Sequence, residues 1–323
     1  MWKVSNNLNT PVLSRYSDFI SRIFELIIDI SRRPDKANLL LVNDFLVNEF
    51  RNANYLNERI LEINKNANDR IKTLIEEIIL LEYSDLVAQY DIYKYQNSEI
   101  LKGNYNISEE IHPDCLKKLF KDYFYTIFFG IDWIWTEIIG KDYQRDMFKS
   151  DFKDENNLFV CPYCDSDTIS NSRNGWIEHF LPKGKFPFIS CNPLNLIPSC
   201  TACNVSGSGK GEDVKNPITN QYLVQIGDEL EFEFLNGEIV IKENEVDAIE
   251  NFIQLLKLRS RYKEQNVKSR VLSSLKLNYN IVKGGKGKNE FDKDEFFQFI
   301  HDSGRNSGLY FVQKDLLNYI DDI

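Results

Sequence analysis

From Pro11 to about Gln96, apolar residues recur every three or four positions, the spacing that gathers them on one face of a helix. Phe19, Ile20, Ile23, Phe24, Ile27 and Ile28 form the first stripe, ended by Arg33-Pro34. Leu39 to Phe50 predicts a second helix, and Ile71, Leu74, Ile75, Ile78 and Ile79 a third, with an Asn-rich connection at 52–68 between them. After Gly103-Asn104, turn and capping residues at Pro113-Asp114 open another helical pattern from about Cys115 to Ile139. It carries Phe120, Tyr123, Phe124, Phe128, Trp133 and Trp135. Such a stripe predicts core, with a base-stacking platform or a protein interface as alternatives. Residues 149–157 are polar and predict a linker. Beyond residue 221 the period shortens to about 2. Leu230, Phe232 and Phe234, then Asn236-Gly237, then Ile239 and Ile241 predict a β-hairpin. Helical spacing returns at 246–277, followed by a glycine-rich loop at 284–287 and helical segments around Phe296 and Leu316. The expectation is an α+β chain in three parts: a helical region 1–150, a central module 151–220, and a hairpin with helices 221–323.

The central module concentrates the reactive side chains. Cys161-Pro-Tyr-Cys164 and Cys200-Thr-Ala-Cys203 hold four of the six cysteines. Paired CxxC units suit a tetrahedral zinc ion on four thiolates, each pair forming a tight knuckle. Two unrelated buried pairs are the bland alternative; a redox role is disfavoured because no βαβ pattern surrounds either pair. The first residues lack a secretion-signal pattern, and the most apolar run, Tyr123 to Ile139, is interrupted by Asp132 and Glu137. Together these predict a cytoplasmic protein that does not span a membrane. Between the knuckles stands Glu178-His179. Phosphodiester hydrolysis needs a base to activate water and a hard cation to neutralise the leaving oxygen. The pair alone equally describes a surface acid beside a half-buried histidine.

The wider pattern is more specific. Glu178-His179-Phe180-Leu181-Pro182-Lys183, then Asn192-Pro193-Leu194-Asn195-Leu196, then Cys200-x-x-Cys203-Asn204 with Lys210 downstream, resemble the HNH (ββα-metal) endonucleases over about residues 158–212. That resemblance implies a β-hairpin packed on a helix with a metal between them. It makes His179 the general base, Glu178 and Asn204 the ligands of a catalytic Mg²⁺ or Mn²⁺, and Asn195 the residue that orients loop and base. The wording is similar to the HNH subunit of Septu-type anti-phage systems and retron relatives, which works beside an ABC-type ATPase. This implies DNA as substrate, and a helical region that docks such an ATPase or a second copy of the chain. Two departures stand out: Glu178 replaces the commoner Asp, leaving the metal preference open, and Gly207 and Gly209 follow where the family continues a helix. Glycine costs a helix interior about 1 kcal/mol against alanine, so a short or late helix is expected. The rivals are a non-catalytic zinc-binding module that recruits nucleic acid or protein, and an HNH nuclease acting on RNA.

Charge then locates the substrate. With a formal net charge of −10, any contact with a polyanion must use a local patch. Residues 257–288 hold ten Lys or Arg against one acid, Glu264. Arg259, Arg261, Lys268 and Arg270 are expected to track the phosphate backbone, with Lys183, Lys185 and Lys210 as further phosphate ligands. The alternative is a solvated face balanced by acids from elsewhere. Cys115 and Cys191 read as apolar core residues, and His112 and His301 have no motif around them.

Overall fold

The structure, a computed structural model, describes residues 1–42, 44–66, 69–169, 175–205, 209–284 and 291–323. It is helix-rich α+β, with three two-stranded sheets among the described residues. The chain divides into two compact units, each assembled from separated stretches. One comprises 6–148 with 179–196, the other 1–5, 149–178 and 197–323.

The first of these is mostly helical. Helix α1 (Thr10–Ser31) buries Phe19, Ile20, Ile23, Phe24 and Ile27, the stripe expected from the sequence. It packs against α4 (Ile71–Ile79) and α5 (Tyr83–Leu101). The stripe expected over Leu39–Phe50 is not one helix. α2 (Lys36–Leu41) buries nothing, the backbone turns left-handed at Asp44, and only Leu46 and Phe50 of α3 (Phe45–Asn52) reach the core. The Asn-rich connection contains a small antiparallel pair, β1 (Asn64–Asn66) and β2 (Asp69–Arg70). The long aromatic helix is also broken up. α6 (Asp114–Lys118) passes into π-helical turns at Leu119–Ile127, a 3-10 turn at Phe128–Gly130 and a second π-helical run at Ile134–Ile139. Its aromatics are core apart from Trp133, which is half-buried under Arg59: Phe120 lies 4.6 Å from Phe188 and 5.8 Å from Phe24 between ring centres, and Trp135 lies 4.7 Å from Tyr16. Each fully buried ring contributes roughly 2–3 kcal/mol, and the cluster anchors the segment that carries Phe188.

Helix α7 (Arg145–Asn156) replaces the linker expected at 149–157; Phe148 and Phe152, one turn apart, are both buried. In the second unit, an isolated bridge between Val160 and Thr168 frames the first CxxC. Strand β3 (Gly175–His179) pairs with β4 (Leu196–Cys200), and β4 runs straight into α8 (Thr201–Asn204), a helix of only four residues. The hairpin β5 (Phe232–Leu235) and β6 (Glu238–Ile241) pairs Phe232 with Ile241 and Phe234 with Ile239. Asn236 and Gly237 both take positive φ, as a two-residue hairpin turn requires. The helical pattern beyond it forms three helices, α9 (Asp247–Leu255), α10 (Leu258–Lys263) and α11 (Gln265–Gly284), with Lys257 left-handed at the first break. α12 (Lys293–Ser307) and α13 (Tyr310–Leu316) complete the unit. The glycine-rich loop beyond Gly284, with Lys286 and Lys288, lies outside the described residues. Among the described residues no helix is long and apolar enough to cross a membrane.

Candidate functional site

The two CxxC pairs meet. The sulfurs of Cys161, Cys164, Cys200 and Cys203 all lie within 4.8 Å of one another and all four residues are buried. Cys164 and Cys200 Sγ are 3.8 Å apart, the edge of a tetrahedron whose metal–sulfur bonds are about 2.3 Å. The donor set therefore fits zinc, and all six cysteines are free thiols. Outer contacts orient the sulfurs: the Cys200 amide donates to Cys161 Sγ at 3.4 Å, and Ser166 Oγ donates to Cys164 Sγ at 3.2 Å. Hydrogen bonds from the neighbouring sulfurs hold Cys164 well below its ordinary value, while the same contacts push Cys200 and Cys203 up.

Asp165 closes the first knuckle in a left-handed conformation and is fully buried. Its carboxylate accepts from Trp2 Nε1 at 2.7 Å and the Phe311 amide at 3.3 Å, and its carbonyl accepts from the Leu309 amide at 2.6 Å. Burial pushes its carboxyl up to about 7, against the pull of the Met1 ammonium and those donors. Sequence reading passed over this residue because its partners lie far away in the chain.

Glu178 and Lys210 form an ion pair at 3.3 Å, with the Lys210 side chain only 4% exposed. Burial pushes the ammonium below its ordinary value, and Glu178 acts in the opposite direction. The second knuckle holds the lysine in place: the Lys210 amide donates to the Cys203 carbonyl at 2.8 Å. Gly209 makes the return possible, because a Cβ there would stand 2.6 Å from the Cys203 carbonyl oxygen and 2.7 Å from that of Ala202. Asn204, half-buried, is the last residue of α8. Its carboxamide and the Glu178 carboxylate are the oxygen donors that hard cations take, and Glu178 already attracts one positive group.

His179 ends β3 and is buried. Its Nε2 lies 3.0 Å from the Ser190 carbonyl oxygen, which can only accept, so the ring carries its proton on Nε2. The Tyr125 ring stands edge-on to the imidazole with 4.2 Å between centres, in the first π-helical run. Asn195 ties the connecting segment together: Oδ1 accepts from the Leu181 amide at 2.8 Å, and Nδ2 donates to the carbonyls of Leu181 at 3.1 Å and Ile189 at 3.2 Å. The Asn195 carbonyl takes the Phe180 amide at 2.8 Å. Lys183 lies over the Tyr125 ring at 4.6 Å, and Lys185 pairs with Glu109 at 3.1 Å.

The basic run carries acidic partners drawn from other elements. Arg259 grips Glu250 through both nitrogens at 2.6 and 2.8 Å, holding that carboxyl down at about 2. Lys268 pairs with Glu238 at 2.6 Å. Asp167 takes two arginines, Arg261 and Arg270, and Arg261 also pairs with Glu264. Counting charge along the sequence overstated the excess, since Asp167, Glu238 and Glu250 all lie outside the run.

Over 60 residues the chain is 40% identical to the Septu protein PtuB of Bacillus thuringiensis, a match covering 19% of this chain and 23% of that protein. Over 50 residues it is 42% identical to protein ea31 of Escherichia phage lambda, 16% of each chain. The chain therefore spans less than a quarter of the length of either relative. No family model matches it. No solved structure matches it.

Proposed function

We propose that the chain is a metal-dependent HNH endonuclease that hydrolyses phosphodiester bonds of DNA, as the effector of an anti-phage defence system. The observation that carries this reading is the anchoring of His179. With Nε2 donating to the Ser190 carbonyl, Nδ1 is the basic nitrogen of the ring. In the reaction Nδ1 takes a proton from the attacking water, and the carbonyl steadies the imidazolium that results. Asn195 fixes the segment that supplies this carbonyl, through its bonds to Leu181 and Ile189. Glu178 and Asn204 would hold Mg²⁺ or Mn²⁺, which supplies charge neutralisation at the leaving 3′ oxygen. Zinc on the four cysteines would keep β4 and α8 in register with the first knuckle. Similarity to the Septu protein PtuB supports the defence role, and with it an ATPase partner or a second copy docking on the helices of 1–150.

The test is incubation of the full chain, with and without the product of its neighbouring gene, with plasmid DNA and with RNA in Mg²⁺ or Mn²⁺. Cleavage of DNA abolished by His179→Ala is the expected result. Cleavage that survives this substitution refutes the assignment of the base, and cleavage of RNA alone changes the substrate. One observation favours the rival, a non-catalytic zinc-binding module: the Glu178 carboxylate is already balanced by Lys210. Nucleic-acid or protein binding by the zinc-loaded chain without cleavage in any condition would decide for it.

A further inference from the structure

Trp176 is 51% exposed, although a tryptophan on a strand is ordinarily covered. It stands two residues before Glu178 on β3, and alternate residues of a strand share a face. The two side chains therefore project on the same side, their Cα atoms separated by about 6.6 Å along the strand. The indole is tethered: Nε1 donates to Thr201 Oγ1 at 3.4 Å, and Thr201 opens α8 directly after Cys200. Thr201 also lines an open pocket of about 580 Å³.

The lining of that pocket argues for its occupant. Thr168, Thr201, Asn266, Ser274, Arg261 and Arg270 supply hydroxyls, an amide and two guanidinium groups. These groups can all donate to phosphate oxygens, acceptors that an apolar peptide side chain does not offer. The two arginines share the Asp167 carboxylate that lines the pocket, and Arg261 is further balanced by Glu264. Arg270 is the accessible one, its side chain 47% exposed against 11% for Arg261. An aromatic face beside a cationic groove is how proteins hold unpaired nucleotides: the ring takes the base and the cation takes the phosphate.

We propose that Trp176 is a base-stacking platform, on which an unpaired nucleobase of the substrate lies while Arg270 meets a neighbouring phosphate. This deepens the endonuclease reading and rests on its substrate being a nucleic acid. It makes single-stranded or locally opened polynucleotide the preferred ligand beside Glu178. Intact duplex, whose bases are already stacked, gains nothing from the indole.

The test is equilibrium binding of the full-length, zinc-loaded chain to a fluorescent oligothymidylate and to a duplex of equal length, in EDTA-free buffer without Mg²⁺ or Mn²⁺. Wild type and His179→Ala are expected to bind the single strand more tightly than the duplex, with quenching of tryptophan emission. Trp176→Ala is expected to weaken single-strand binding about tenfold with little effect on duplex, and Trp176→Phe to retain most of the affinity. Arg270→Ala is expected to reduce the salt slope by about 0.7. Unchanged single-strand affinity in Trp176→Ala overturns the platform and leaves the endonuclease reading standing. Loss of binding to both ligands in the wild type overturns the nucleic-acid substrate itself. Circular dichroism and zinc content separate either result from misfolding.

Discussion

Replacing Asn195 with alanine removes three hydrogen bonds from a residue with no exposed surface. Each such bond contributes about 0.5–1.5 kcal/mol net, and a buried donor left without its acceptor costs about 1–3 kcal/mol. The Leu181 amide loses its acceptor at Oδ1, and the Leu181 carbonyl loses a donor. The Ile189 carbonyl keeps the Asn192 amide at 3.1 Å, so its loss is the smallest of the three. The sum is about 3 kcal/mol, a large share of the roughly 5–15 kcal/mol that holds a typical domain. Urea unfolding should show the midpoint falling by more than about 1 M, with an unchanged slope. Asn195→Asp keeps an acceptor for Leu181 but loses both donated bonds and buries a charge, so it should be no better tolerated. A loss below about 1 kcal/mol in Asn195→Ala would refute the claim that this carboxamide holds the segment between β3 and β4. Activity adds a second readout. Ser190 lies in the same segment, so the variant should lose nuclease turnover even at temperatures where it stays folded.

Two further outcomes follow from groups elsewhere. The four-cysteine cluster should bind one zinc per chain by elemental analysis, and chelation or Cys200→Ser should lower the unfolding temperature sharply; an unchanged transition would dismiss the ion. His112 is buried, its Nδ1 2.7 Å from Gln89 Oε1 and its Nε2 without a hydrogen-bond partner among the described residues. Burial, with Lys117 adding to it, pushes the imidazole from its ordinary 6.5 down to about 4. Between these values the unfolded chain binds a proton that the folded chain does not. Stability from this residue is therefore complete above 6.5 and is lost as pH falls toward 4. Unfolding at about pH 5 against about pH 7.5 should show a loss of about 2 kcal/mol that His112→Gln abolishes, and a pH response unchanged by the substitution would refute the assignment.

The parts of the fold that were legible in the sequence are those where a local rule fixes the outcome. Asn236-Gly237 between alternating apolar runs dictates the β5–β6 hairpin, and two CxxC pairs bring four thiols together regardless of what lies between them. The failures were of two kinds. Phe148 and Phe152 are enough to bury one face of α7, but Phe152 alone within the polar run 149–157 does not look like a helix. The π-helical turns at Leu119–Ile127 lie among packed aromatic rings, and the apolar period of the sequence scarcely changes across them. At the candidate site, the spacing of the CxxC cysteines predicts the cluster they form, whereas the roles of Glu178, His179, Asn195 and Asn204 rest on resemblance. Ser190, Asp165 and the partners of the basic run were not legible in the sequence, because each acts through contacts that linear order conceals.

A metal ion shared by the four cysteines would also cross-link the chain. Cys164 and Cys200 are 36 positions apart, and β3, His179 and Asn195 all lie on the chain between them. An ion bridging the two knuckles closes that stretch into a ring, which by the loop-entropy argument for cross-links removes about 4 kcal/mol of freedom from the unfolded chain. Such a ring survives a cut. A protease that nicked the backbone beside the exposed Trp176 would leave two fragments joined at the metal, running as one species until a chelator released them.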